Sequence, residues 1–417
     1  MNVAKLRILL FVTGLLLMMG SQGTGVQAQN NRFTDRSFVP SPVVRSMGDA
    51  GVALPGIEQS FFYNPAHLPR ASSHFTILGT QGAASRTIGD QIRFYNQQVQ
   101  PAVGEDYDLS TKALADLHRE AQTLGRKPGR GHGAVLLPSF IYSTEAFGIG
   151  GGVFAKTALN YRVEAGGAGV PTMHLLSRTD LMALASFGLN LRQIGLPLSV
   201  GVTGTQTRRF LAFKNEPLGR FTDEEAAVLL DGAAFQLDAG LVYTPEWLSG
   251  VPGTIRMAGA IYDLLTRQYR YVEGGPGRMP FVGGVVGRSG GDGGGALEQE
   301  ERRARAGFTL KPSYRVGMAY QISSVLFLDD VALVADYQGY RSGDQVPLAR
   351  VHLGTRAKVV GPLRLRLGLS SGYPTGGLGL EMGALHLDYA IHGMEEGRAP
   401  GQLSTYVHTT RLLLRLE

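Results

Sequence analysis

The last third of the chain alternates apolar and polar residues with a period of two, which predicts strands with one greasy and one polar face. Leu363, Leu365, Leu367 and Leu369 are interleaved with Arg364, Arg366, Gly368 and Ser370, and Val351, Leu353, Thr355, Ala357 and Val359 with Arg350, His352, Gly354, Arg356 and Lys358. Leu385, Leu387, Tyr389 and Ile391 oppose His386, Asp388 and Ala390, while Leu412, Leu414 and Leu416 oppose Arg411, Leu413 and Arg415. Further strand-like runs are predicted at 75–85, 134–143, 148–163, 181–191, 198–213, 234–243, 255–265, 314–322 and 325–337. Residues 144–146 and 195–197 read as short connections at hairpin ends. The total is about fourteen strands, an even count of the kind usual for bacterial barrels.

Two segments follow another period. Leu109, Ala113, Leu114, Leu117, Ala121 and Leu124 recur at helical spacing before Gly125, predicting an amphipathic helix over 108–124. Thr222-Asp223-Glu224-Glu225 forms a capping box that opens a short helix through Leu230. Both are expected as loop helices at a barrel mouth. The glycine-rich stretch 283–295 and the charged stretch 298–305 are expected to form a surface loop.

Alternation alone does not separate a soluble sandwich from a membrane barrel, because a sandwich also alternates with its apolar face inward. The first residues change the balance. Lys5 and Arg7 precede an apolar run from Ile8 to Met19, followed by Val26-Gln27-Ala28, the arrangement of a secretory signal peptide cleaved after Ala28. No later run is long and apolar enough for a spanning helix, so an exported chain of this kind crosses a membrane, if at all, as a closed barrel. Strand-like runs of about ten residues, with tyrosines such as Tyr314, Tyr320, Tyr389 and Tyr406 near their ends, fit a tilted transmembrane strand.

Composition narrows the chemistry. The 417 residues include 58 glycines and no cysteine, which removes disulfides, thiol catalysis and cysteine-bound zinc. A formal net charge of +6 without any lysine- and arginine-rich block gives no nucleic-acid footprint. Gly368-Leu369-Ser370-Ser371-Gly372 matches the hydrolase pattern G-x-S-x-G, but it runs from a strand into a Tyr-Pro turn with no helix to make the nucleophile elbow. Gly148 to Val153 lacks the third glycine of a dinucleotide loop. No nucleophile, base and orienting acid assemble, and no cofactor is implied.

Two motifs follow the signal segment: Arg45-Ser46-Met47-Gly48-Asp49-Ala50-Gly51-Val52-Ala53-Leu54, and Phe61-Phe62-Tyr63-Asn64-Pro65-Ala66-His67-Leu68. The pair resembles the opening of the FadL/PorV superfamily of outer-membrane barrels, and the stretch from Leu367 to Leu380 with Leu387-Asp388-Tyr389-Ala390 is similar to the last hairpin of PorV-like and TraF-like members. His67 stands where those relatives have a small residue. The resemblance implies an N-terminal plug followed by a barrel: signal peptide 1–28, plug segment 29–70 and barrel 71–417. Physically, Gly48 and Gly51 permit close backbone approach and Asn64-Pro65 sets a turn. Arg45, Met47, Gly48, Gly51, Tyr63, Asn64 and Pro65 are therefore the candidate plug or gate motif, with a plain structural turn as the simpler account.

If the leucines meet lipid, the lumen receives Arg350, His352, Arg356, Lys358, Arg364, Arg366, Arg411 and Arg415. Charges of one sign in a narrow cavity concentrate anions. The competing account is that acidic residues, Asp49, Asp223, Glu224 and Asp388 among them, neutralise this wall. Two functions are expected: FadL-like passive transport of hydrophobic or amphipathic, anionic small molecules, or a PorV-like barrel binding a secretion-system protein, to which the inserts 86–132 and 266–309 give some support. The expected location is the outer membrane, with membrane lipid as the first partner and no nucleic acid. Amino-terminal sequencing of the protein isolated from cell envelopes should begin at Gln29; a chain still carrying Met1 would replace the cleaved leader with an uncleaved anchor.

Overall fold

Fifteen antiparallel strand segments close into a single sheet. The computed structural model describes residues 38–94, 96–97, 111–124, 129–164, 171–217, 228–248, 252–266, 270–273, 312–340, 350–395 and 404–416. The strands are β1 (His74–Ser85), β2 (Gly129–Ser143), β3 (Phe147–Glu164), β4 (Thr172–Asn190), β5 (Leu198–Pro217), β6 (Val228–Tyr243), β7 (Thr254–Thr266), β8 (Arg270–Glu273), β9 (Ser313–Val325), β10 (Leu328–Tyr340), β11 (Val351–Val360), β12 (Leu363–Ser370), β13 (Tyr373–Met382), β14 (Leu385–Glu395) and β15 (Ser404–Leu416). β7 and the short β8 both pair with β6, so they share one place and the barrel has fourteen strands. The seam closes where β15 pairs with β1, from Phe75 opposite Leu416 to Ser85 opposite Val407. Closure satisfies every ladder without leaving an edge in lipid.

The leucines face out. Leu353, Leu365, Leu367, Leu387, Leu412 and Leu414 are exposed on the outer wall, while His352, Arg356, Arg366, Asp388 and Arg411 are buried inside. Apolar surface is thus turned outward, and the interior core is supplied by the chain ahead of β1. Val39, Val44, Met47, Val52, Leu54, Phe61, Phe62 and Leu68 are all buried in the lumen. This plug contains α1 (Pro42–Ser46), α2 (Ser60–Tyr63) and a 3-10 turn over Pro65–Arg70. Phe61, Phe62 and the wall residue Phe154 pack edge-on or tilted, with ring centroids 5.0 to 5.8 Å apart, a geometry aromatic rings favour.

Two rows of glycine seat the plug. Gly148, Gly188, Gly201 and Gly240 lie side by side on β3, β4, β5 and β6, directly under Asn64 to Pro69. A methyl group on Gly201 would sit 2.5 Å from the Pro65 carbonyl carbon, and one on Gly188 would sit 2.7 Å from the Pro65 oxygen. Across the barrel, Gly354 and Gly368 pair on β11 and β12 and receive the backbone of Met47 and Gly48 at similar contact. Gly48 itself has φ of 69°, a conformation glycine adopts without penalty.

Several expectations need correction. Tyr373-Pro374, expected as a turn, instead opens a strand that runs to Met382; Gly376, Gly377 and Gly379 hide its alternation, two of them because Ser46 and the Arg366 guanidinium occupy the space where side chains would be. The helix expected through Leu230 gives way at its end to strand, since Val228 to Leu230 pair with Phe213 to Leu211; residues 222–227 lie outside the described residues, as do 1–28, 283–295 and 298–305. β4 begins at Thr172, well before 181, and β10 begins at Leu328, since Val325 ends β9 and residues 326–327 form the turn between them. The amphipathic helix is present as α4 (Thr111–Leu124), preceded by α3 (Arg86–Phe94).

Because Gly201 has no room for a side chain whereas a methyl on Gly82 would meet nothing, Gly201→Val should loosen plug docking by about 1–3 kcal/mol and Gly82→Val should not. Protease sensitivity of the plug, scored against heat-modifiable migration of the intact barrel, distinguishes the two.

Candidate functional site

The plug and the inner wall together form the site. By the rule for such barrels, the end with the short connections, for example Leu326-Phe327, Gly361-Pro362 and Gly383-Ala384, is periplasmic. The plug is bonded to the wall mainly through its backbone. Gly51 and Val52 donate their N–H groups to Asp336 Oδ2 at 2.7 and 2.9 Å. Gly48 N–H donates to Thr375 Oγ1, whose hydroxyl donates to the Ser46 carbonyl, both at 2.9 Å. His352 Nδ1 lies 2.8 Å from the Gly48 carbonyl and donates to it. On the opposite side, Thr203 donates to the Phe61 carbonyl and Tyr262 to the Tyr63 carbonyl.

The motif residues have separate tasks. Asn64 caps the 3-10 turn by accepting from Ala66 N–H, and its amide donates to the Val52 and Leu241 carbonyls. Tyr63 hydroxyl accepts from Ser41 N–H at 2.8 Å; burial, together with the charge of Asp49, pushes its pKa up to about 12. Arg45 pairs with Asp49 at 3.6 Å, and Arg315 of β9 donates to the Asp49 carbonyl and carboxylate. Burial alone would raise the Asp49 pKa, but Arg45 and Arg315 hold it well below the usual carboxylate range. His67 points its Nε2 at the Val52 carbonyl, 2.9 Å away, and burial pushes its pKa down to about 3.

The eight basic wall positions all point inward and fall into different environments. Arg364 meets Asp330 at 2.8 Å and Glu381 at 2.7 Å, and Arg356 shares Asp330 at 3.2 Å. Arg366 and Arg411 hold the two oxygens of Asp388 at 2.8 and 2.6 Å. Arg411 and Arg415 also reach Glu58 of the plug, at 2.6 and 3.3 Å. Arg350 is buried beside the Tyr337 hydroxyl, His352 holds the plug, and Lys358 is half-buried opposite Arg364. Of the acidic residues expected to neutralise the wall, Asp388 does so; Asp49 serves Arg45 and Arg315 instead, and Asp223 and Glu224 lie outside the described residues.

The other carboxylates at the wall, Glu58, Asp330, Asp336 and Glu381, carried no sequence expectation. Neither did the buried pair Arg209–Asp180, bonded at 2.6 Å on β5 and β4. A lone charge at every second position of an otherwise apolar strand was the available signal.

No protein-family model matches the chain, and no curated protein does. Solved structures do. The Ralstonia pickettii toluene transporter TbuX is 13% identical, with 90% of this chain and 97% of that one covered at a TM-score of 0.46. A Pseudomonas aeruginosa FadL homologue is 12% identical over 90% and 97%, with a TM-score of 0.38. A deltaS2S3 mutant of TodX, a monoaromatic hydrocarbon channel, is 11% identical, covers 90% and 98%, and reaches 0.50. This is the fold of FadL-type outer-membrane channels. At these identities the FadL-type likeness concerns the fold: a fourteen-strand outer-membrane barrel whose N-terminal segment precedes β1.

The His67 titration links plug docking to pH with a defined sign. Between about pH 6.5 and 3, an undocked His67 binds a proton that the docked imidazole refuses, so docking weakens as pH falls through that window and is fully supported above it. The maximal slope is about 1.4 kcal/mol per pH unit. Amide exchange across the plug should rise as pH is lowered from 7 to about 4, after correction for the intrinsic rate, and His67→Gln should flatten that dependence.

Proposed function

We propose that this chain is a passive channel for hydrophobic or amphipathic small molecules, anionic ones foremost, with residues 1–28 removed on export, 29–70 acting as the plug and 71–417 as the barrel. The supporting observation is the juxtaposition of a backbone-anchored plug with eight inward-facing basic side chains. The structurally similar TodX is a monoaromatic hydrocarbon channel. A wall carrying Arg356, Arg364, Arg366, Arg411 and Arg415 adds to that architecture a means of attracting carboxylates, because like charges in a confined lumen raise the local anion concentration. The wall carboxylates reduce this field, yet Arg364 and Lys358 remain half-exposed in the lumen, where a solute can reach them. The plug motif from Arg45 to Gly51 and from Tyr63 to Pro65 is the gate in this reading, since it closes the lumen between the two glycine seats.

Uptake of radiolabelled hexanoate and toluene into proteoliposomes tests the proposal. Both should enter only with the protein present. The double variant Arg364→Ala, Arg366→Ala should slow hexanoate roughly three- to tenfold, the worth of one solvent-weakened hydrogen bond, and leave toluene within twofold. Equal rates for hexanoate in the variant and the parent would remove the basic wall from the account, and no protein-dependent entry of either solute would remove transport itself.

A further inference from the structure

The outer wall of the barrel is not smooth. On β9 to β12 the outward side chains Met318, Leu333, Leu353 and Leu367 are exposed, and with the shorter Ala335 and Thr355 among them they line an apolar trough of about 810 Å3. Leu333 pairs with Thr355 and Ala335 with Leu353, so the two short side chains are diagonal neighbours and give one low path across β10 and β11. A hollow at membrane depth takes up hydrocarbon, because water and polar groups are excluded there.

A cation without a carboxylate stands at the outer end of this face. β11 has 10 residues from Val351 to Val360, and a tilted strand crosses the hydrocarbon in about 9–11 residues, so Arg350 lies at the outer boundary, where headgroups begin. Tyr314 and Tyr337 mark the same level. Their neighbours Arg315 and Asp336 turn inward to the plug, which puts both tyrosines on the outer stripe, in the aromatic girdle of such barrels. Arg350 occupies an inward place on its strand, yet its Nη1 reaches the Tyr337 hydroxyl over a long 3.5 Å. It is 8% exposed, and its Nε is buried with no partner. Among the described residues no carboxylate pairs with it, whereas Arg356, Arg364, Arg366, Arg411 and Arg415 each have one. A guanidinium this poorly solvated requires an anion.

We infer that this face binds a phosphorylated, acylated lipid of the outer leaflet, with its phosphate on Arg350 and Tyr337 and an acyl chain in the trough. Tyr337 and Ala335 are successive outward residues of β10, about 7 Å apart along the strand, so the polar end and the trough follow one another as headgroup and chain do in a lipid. The planar fork of arginine matches the oxygens of a phosphate. The adjoining hairpin leaves this end low: β12 has only 8 residues, against 18 to 20 in β3, β4 and β5. It turns back at Ser371, whose N–H donates to the Val351 carbonyl at 3.3 Å, level with the start of β11. The unpaired cation favours a lipid over a second copy of this chain, because the outward leucines of this face offer no anion. The inference concerns the outer surface and does not depend on solute transport.

The test places the full barrel in phosphatidylcholine nanodiscs, adds lipid A or the same lipid stripped of its phosphates, and reads the lipid bound per barrel by native mass spectrometry. The parent should bind lipid A roughly tenfold more tightly than the stripped form, the scale of one charged hydrogen bond. Arg350→Gln should remove that difference and Arg350→Lys should restore part of it. Ala335→Phe and Thr355→Leu, which fill the trough, should each weaken both lipids; two variants are used so that a folding defect in one, scored by heat-modifiable migration, does not decide the matter. Equal binding of the two lipids by the parent, or a difference that survives Arg350→Gln, overturns the inference. Inorganic phosphate that displaces lipid A, with Ala335→Phe binding lipid A as well as the parent does, marks a free-anion site and overturns it too. Dimers of the parent that retain no lipid and are lost in Ala335→Phe assign the face to a second copy instead.

Discussion

An irregular segment inside a closed barrel brings backbone N–H and C=O groups that neither lipid nor a strand ladder satisfies, and an unmet buried group costs about as much as a lost hydrogen bond. The arrangement of this lumen follows from that constraint. Asp336 takes two successive plug N–H groups, Thr375 closes a donor and an acceptor around Gly48 and Ser46, and Gln81, Lys156, Ser143, Thr203 and Tyr262 each donate to a plug carbonyl. Polar residues on the inner face are thus assigned to particular backbone atoms. Replacing one by an apolar residue of equal size leaves a buried plug atom without its partner, a larger loss than the bond's own net contribution.

Those bonds require the plug backbone to lie close to the wall, and the glycine rows make that approach possible. On β3 to β6 the row receives the Asn64–Pro69 turn, and on β11 and β12 a shorter one receives Met47 and Gly48. The two seats sit on opposite sides of the lumen, so the plug is pinned at both ends of its buried stretch. Between them the backbone turns through Gly56, where φ is 74° and space is open. A segment fixed at its ends and free in the middle can move locally without leaving the barrel.

The barrel was legible because lipid imposes a rule on one face: outward residues are predominantly apolar, so apolar side chains, leucine most often, recur at alternate positions from β11 to β15 however the lumen is used. The inner face obeys no such rule. Where a plug atom or a neighbouring guanidinium fills the place of a side chain, as Ser46 does at Gly377 and Arg366 at Gly379, the strand carries glycine and loses its alternation, which hid β13 beyond its Tyr-Pro start. The plug motif was legible as a turn and a close approach, and Asn64 and Gly48 do act in those ways, but the identity of the wall residues they touch depends on strand register across hundreds of residues. The arginines were visible as a stripe. Their partners were not, since Asp330, Glu381 and Glu58 come from a β10 end, the far end of a neighbouring strand and the plug, with no sequence spacing in common. His67 drew notice only as an unusual residue, and its bond to Val52 closes the plug on itself.

The distribution of charge also separates what holds the wall from what holds the plug. Arg209 with Asp180, Arg366 with Asp388, Arg356 and Arg364 with Asp330, and Arg364 with Glu381 all join one strand to another. These cross-strand pairs are intact in any position of the plug, and in a poorly solvated lumen each retains a partner that it would be costly to lose. Ionic contact from plug to wall is confined, among the described residues, to Asp49 with Arg315 and to Glu58 with the Arg411 cradle. Asp49 sits in the same Gly48 to Val52 turn that Asp336 and Thr375 already hold through its backbone, so its ion pair reinforces a fixed end. Glu58 lies two residues from open space at Gly56, and its side chain alone makes the contact. The two ion pairs therefore do different work: the first secures an anchored turn, and the second is the one electrostatic tie on the part of the plug that has room to move.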